Sequence, residues 1–206
     1  TKEMLLDAQA GHYAVGAFNV ENLEFVMAVI RAAEDRRSPV IMQTTPGTVK
    51  YANLDYFAAL CRVAAEEASV PVAIHLDHGD GFDRCVQAMH AGYTSVMIDG
   101  SHVPFEENVA LTASVTKVAG PVGSPVEAEL GKVGGKEDDG PAVEGESPYT
   151  DPDQAEEFVA RTGCSSLAVG VGTVHGIYKG TPHIEQGILS SIRERLDVPL
   201  VLHGTS

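Results

Sequence analysis

Three histidines, each followed directly by glycine, close apolar runs: His78 in IHLDHG, His175 in VGVGTVHG and His203 in LVLHG. Such a run reads as a buried strand that delivers an imidazole to its end. The glycine after it lets the backbone turn, and lets a ligand approach without meeting a Cβ. Three neutral imidazoles converging from three strands can hold one divalent metal of the zinc type and leave a coordination position open for a substrate. Asp77 directly precedes His78. A carboxylate there either orients a metal-bound histidine or passes a proton to or from a substrate oxygen beside the metal.

Two further acids interrupt apolar strands: Asp99 in SVMIDGSH and Glu129 in VEAELG. Acids are rarely buried without partners, so these two could bind a second cation, hold the metal in an alternate position or orient the histidines. Glu127 shares a face with Glu129 on a regular strand, and alternation alone does not choose between them. His75 shares a strand face with Asp77 and reads as a supporting or a core histidine. His12, His90, His102 and His183 fall in loops or on helices and read as surface or packing residues. Three turns mix glycine with hydroxyls, TTPGT (44–48), HGIYKG (175–180) and HGTS (203–206). Backbone N–H and hydroxyl groups in such turns can surround phosphate oxygens.

These residues sit on a repeating alternation. Strands are predicted at 14–18, 39–43, 71–77, 95–99, 124–130, 166–171 and 199–203, and helices at 2–10, 21–35, 53–68, 82–91, 105–119, 152–161 and 184–196. Near-continuous apolar strands separated by helices mean parallel strands covered by helices. Asn19, Thr45, Asp77, His78, Asp99, Glu129, His175 and His203 all end strands. A (β/α)8 TIM barrel gathers every strand end at one mouth, whereas an open sheet gathers only those at its switch point. A barrel is therefore the expected fold. With seven strands in 206 residues, the expectation is a single barrel domain, C-terminally incomplete and lacking its eighth β/α unit. The first and seventh strands would then have unpaired edges. The segment 131–150, rich in glycine and acids, is too long for an ordinary connection and reads as a mobile active-site loop.

The formal net charge of −15 argues against nucleic acid and anionic membranes as partners. No apolar stretch is long enough to span a bilayer. Cys61, Cys85 and Cys164 have no CxxC spacing and read as reduced structural thiols, which places the chain in the cytoplasm.

In order along the chain, YAVGAFNV, SPVIMQTTPGT, HLDHG, SVMIDGSHVPFEENV, VEAELGKVGGKEDD, GTVHGIYKG and PLVLHG closely resemble the class II, metal-dependent ketose-bisphosphate aldolases that act on fructose or tagatose 1,6-bisphosphate. The resemblance implies a TIM barrel, dimeric or tetrameric when full length, with catalytic zinc on His78, His175 and His203. It implies that Asp77 is the proton donor to the oxygen at C4 of the ketose, and that Asp99 and Glu129 stand near the alternate metal position. Glu137 in the long loop would move the proton at C3 of dihydroxyacetone phosphate. Gly176 and the Gly204-Thr205-Ser206 turn would cradle the triose phosphate, Asn19 and Thr45 would line the pocket, and a monovalent cation (Na+ or K+) would lie near the phosphate. No Schiff-base lysine is then needed, and Lys179 reads as a phosphate or surface lysine. The chain departs from the family where an eighth strand should carry an Asn-Val-Ala-Thr-like turn.

Substrate identity stays open between tagatose and fructose bisphosphates, with a deoxy-ketogluconate phosphate as a further phosphorylated ketose. Two other readings compete. A metal-dependent hydrolase of barrel type would place an HxH pair on the first strand, which here ends in AFN. A truncated, non-catalytic chain would fit the missing eighth unit, although Asp77 and all three histidines are intact.

Overall fold

Largely apolar runs of four to eight residues form six of the strands, and the computed structural model describes residues 1–135, 148–178 and 180–205. The chain divides into two units, Thr1–Ile98 with Val115–Val126, and Asp99–Ser114 with Glu127–Ser206.

The first unit runs α1 (Lys2–Gly11), β1 (Gly16–Asn19), α2 (Leu23–Arg36), β2 (Val40–Thr44), α3 (Pro46–Ala52), α4 (Leu54–Glu67), β3 (Val72–Gly79), α5 (Phe82–Ala91) and β4 (Ser95–Ile98). The four strands are parallel in the order β1-β2-β3-β4. Met42, Leu76, Val96, Met97 and Ile98 are fully buried, and Val26, Phe57, Cys61, Cys85 and Ala88 are buried on the helices. Helices on a parallel sheet are what the alternation predicts. β1 is an edge strand, and Gly16, Ala17 and Phe18 are exposed.

Local chemistry sets the boundaries. Asn22 accepts from the Phe25 N–H at 3.0 Å and caps α2. Gly92 ends α5 in the left-handed region with φ 102°. The largest departure from expectation is α3. The stretch TTPGT is not an open turn but the start of this short helix, with Thr45 as its cap, accepting from the Thr48 N–H at 3.3 Å, and Pro46 in its first turn.

In the second unit β5 (Val126–Leu130), β7 (Ser166–Val169) and β9 (Leu200–Val201) are parallel in that order. A separate parallel pair joins β6 (Gly134–Gly135) to β8 (Val174–His175). Helices α7 (Pro152–Thr162) and α8 (Gln186–Arg195) pack together. Asp151 caps α7 by accepting from the Asp153 and Gln154 N–H groups at 2.9 and 3.0 Å. Phe158, Leu167, Ala168, Val169 and Ile192 are fully buried. Helix α6 (Phe105–Val122) supplies its first part to this unit and the rest to the other.

Five predicted strands are shorter than expected, and two of them bear on the histidines. β7 ends at Val169, and β9 ends at Val201, so neither His175 nor His203 ends a strand of the main sheet. The roots of the segment 131–150 are tied together: Lys132 N–H donates to the Pro148 carbonyl at 2.9 Å, and the Thr150 hydroxyl bonds the Leu130 carbonyl. Cys61, Cys85 and Cys164 are buried, and burial pushes their thiols up to about 11, 12 and 11. They are poor nucleophiles there, in keeping with the structural role expected of them. Among the described residues, no helix is long and apolar enough to cross a membrane.

Candidate active site

In the first unit Asp77 and His78 lie on β3 where its pairing with β4 slips. Leu76 pairs with Val96 and Gly79 with Ile98, so three steps on β3 match two on β4. That is a β-bulge, a device that re-aims side chains. His78 has φ 45°, the left-handed region that a non-glycine residue rarely takes. Consecutive residues on a regular strand point to opposite faces. Here they do not separate: His78 Nε2 lies 3.9 Å from Asp77 Oδ1. The His78 N–H turns to the Met97 sulfur at 3.3 Å. Gly79 is needed for close approach, because a Cβ there would meet the Met97 carbonyl. The sharp turn expected of the glycine is made instead by the histidine before it, which takes the left-handed conformation.

Asp77 is buried, and its Oδ2 accepts from Gln43 Nε2 at 2.8 Å and Asn19 Nδ2 at 3.3 Å. Gln43 Nε2 also donates to Asn19 Oδ1 at 3.0 Å. Asn19 and Gln43 are register partners across β1 and β2, and Gln43 is the partner of His75 across β2 and β3. Two amides thus fix one carboxylate oxygen and leave Oδ1 on the side of His78. Gln43 is not among the residues that motif and spacing single out. Its one signal is that it stands as a polar residue within the apolar run VIMQT. Replacing Gln43 with Leu removes a charge-assisted bond to Asp77, of the kind worth about 1.5–3 kcal/mol. A lower urea midpoint and a kcat reduced more than KM is changed are the expected results. A variant equal to wild type in both would show that Gln43 does not hold the carboxylate.

His75 is buried, with Nδ1 2.8 Å from Ser95 Oγ, which also accepts from Thr1 Oγ1 at 2.9 Å. Thr45 spends its hydroxyl on the α3 cap described above.

In the second unit the rings of His175 and His203 meet edge to face with centroids 5.8 Å apart, and each offers a nitrogen within 4.8 Å of the other's. His203 Nε2 lies 3.0 Å from Glu127 Oε1. That bond orients the imidazole and directs Nδ1 away from the acid. Alternation does not choose between Glu127 and Glu129, and here the two differ in role. Glu127 pairs with His203, while Glu129, fully buried, and Asp99 offer carboxylate oxygens within 4.8 Å of one another. Asp99 Oδ1 also accepts from the Ser101 N–H at 3.0 Å and hydroxyl at 2.7 Å. Gly204 has φ 67°, and a Cβ there would stand 2.5 Å from the Val174 carbonyl oxygen, so only glycine lets these backbones touch. Gly176 also has positive φ, and Thr205 is exposed. Glu137, Lys179 and Ser206 lie outside the described residues.

The donor set suits a divalent metal of borderline softness. Two imidazole nitrogens lie within 4.8 Å of one another, and one ring is oriented by a carboxylate, as metal-bound histidines are.

The chain matches the family model described as fructose-bisphosphate aldolase class-II over residues 1–206. It is 41% identical to the YdjI aldolase of Escherichia coli K12, with a TM-score of 0.88, covering 100% of this chain and 72% of that one. It is 36% identical to a protein from Coccidioides immitis provisionally assigned as a fructose-1,6-bisphosphate aldolase, with a TM-score of 0.90, covering 98% of this chain and 72% of that one. A fructose-bisphosphate aldolase from Campylobacter jejuni shares the fold at 24% identity, with a TM-score of 0.74, over 97% of this chain and 67% of that one.

Proposed function

The chain belongs to the class II fructose-bisphosphate aldolase family, and we propose that it is a metal-dependent lyase of the cytoplasm. It would cleave a ketose 1,6-bisphosphate, fructose or tagatose, to dihydroxyacetone phosphate and glyceraldehyde 3-phosphate. The observation that carries the reading is the bulge on β3, which sets an amide-held acid beside a candidate ligand histidine. His78 would join His175 and His203 in holding one divalent ion, zinc by the chemistry of the donors. A bound ion of this kind supplies Lewis acidity, drawing electron density from the ketone at C2.

The chain's own groups then have defined tasks. Asp77 takes the proton from the C4 hydroxyl as the C3–C4 bond breaks. C4 becomes the aldehyde carbon, and the bond's electron pair passes to the triose-phosphate half. Glu137 delivers a proton to C3, and in condensation both transfers run backwards. Gln43 and Asn19 keep the Asp77 carboxylate aimed throughout. Asp99 and Glu129 would take the ion in a second position. Asn19, Thr45, Gly176, Lys179, Gly204, Thr205 and Ser206 would contact substrate, with a Na+ or K+ ion beside the phosphate.

The test is a coupled triose-phosphate assay, run on fructose bisphosphate, tagatose bisphosphate and a deoxy-ketogluconate phosphate, before and after chelation and zinc return. The expected result is cleavage of a bisphosphate that chelation abolishes and zinc restores. Cleavage that survives chelation would reject the metal. Failure on both bisphosphates would reject the substrate, and activity on the third compound would move the assignment to it.

A further inference from the structure

The two histidines of the second unit stand on little regular structure. His175 lies on a two-residue strand, β8, and His203 lies beyond the end of β9. Neither short element explains by itself how the two rings keep their spacing.

Tyr178 connects them. Its hydroxyl accepts from the Val174 N–H at 3.1 Å and donates to the Gly204 carbonyl at 2.7 Å. Val174 immediately precedes His175, and Gly204 immediately follows His203. One hydroxyl therefore bridges the backbones that carry both rings, at the place where Gly204 lets them come together. Tyr178 is only partly buried, and both of its bonds go to backbone, so neither depends on a neighbouring side chain's rotamer.

We propose that Tyr178 is a positioning residue that sets the separation of His175 and His203 through its hydroxyl. The proposal rests on the reading that these histidines hold a metal. An error of about an ångström in ligand placement is costly at a metal centre, and losing an outer partner typically weakens metal binding by about 10–100-fold.

Tyr178→Phe tests it, because the ring remains and only the hydroxyl is lost. The full chain, wild type and variant, is titrated with Co2+ and followed by visible absorption, and exchange of the Val174 amide is followed by NMR. The expected result is faster exchange at Val174, a Co2+ affinity about tenfold weaker and an altered band intensity, which a purely packing role would not change. Wild-type affinity and band shape in the variant would overturn the proposal, whether or not Val174 exchange changes. If the wild-type chain itself binds no Co2+, the metal reading has failed, and the positioning role fails with it. A variant defect alone leaves the metal reading standing.

Discussion

Replacing Asp77 with Asn is expected to lower turnover in the proposed aldol cleavage by roughly 10²–10⁴-fold, the range contributed by a positioned acid–base group, while bound metal stays at the wild-type level. The expectation comes from the geometry around the carboxylate. Oδ2 accepts from Gln43 and Asn19, and an amide oxygen can take its place with little change of shape. Oδ1 faces His78 at 3.9 Å, and an amide nitrogen there cannot exchange a proton with a substrate oxygen. Asp77→Ala is the poorer probe. It would leave two amide donors without their shared acceptor, at a cost of about 1–3 kcal/mol per unsatisfied group, and so mix folding with chemistry. Single-turnover rates with metal analysis of the same samples decide the matter. Asn at position 77 with undiminished turnover would rule out Asp77 as the proton-transfer group.

The second large effect is loss of metal on replacing His203. After dialysis, His203→Ala should retain a small fraction of the metal held by wild type, with turnover falling in step. The loss should exceed the ~10–100-fold typical of an outer partner, because the residue removed is the proposed ligand itself. The substitution also removes the imidazole that Glu127 bonds at 3.0 Å. His203→Gln separates the two consequences: it offers Glu127 an amide donor but replaces the imidazole ligand. Equal metal loss in both variants is the expected outcome. Wild-type metal content in His203→Ala would remove His203 from the ligand set.

The parts of this site legible in the amino-acid sequence are those written in side-chain chemistry. Val40–Gln43, Val72–Leu76 and Ser166–Val169 announce strands because apolar runs of that length bury a parallel sheet. The His-Gly endings announce their histidines because few other roles repeat that dipeptide after an apolar run. What stays hidden lives in the backbone. The bulge at His78 leaves no composition signal, since its left-handed residue is a histidine and not a glycine. The helix α3 hides behind Thr-Pro-Gly, which reads as a turn, although Thr at a cap and Pro in the first turn are signals for it. His175 is expected at the end of a long strand, but the glycines at 170 and 172 end that strand early. Gln43 escapes notice in the sequence because it lies within the run VIMQT and not at a strand end, where Asn19 stands. Its bonds to Asn19 and Asp77 appear only when the strands to either side are seen.

The slipped register of β3 also bears on how this centre tolerates change in chain length. Here the acid and its neighbouring histidine share a site because one extra residue sits between Leu76 and Gly79. The residues between these two pairing points are Asp77 and His78 themselves, so a one-residue deletion that restored regular pairing would cost the acid or the histidine. A single-codon deletion elsewhere in β3 would keep both groups yet shift the strand by one residue and turn their side chains to other faces.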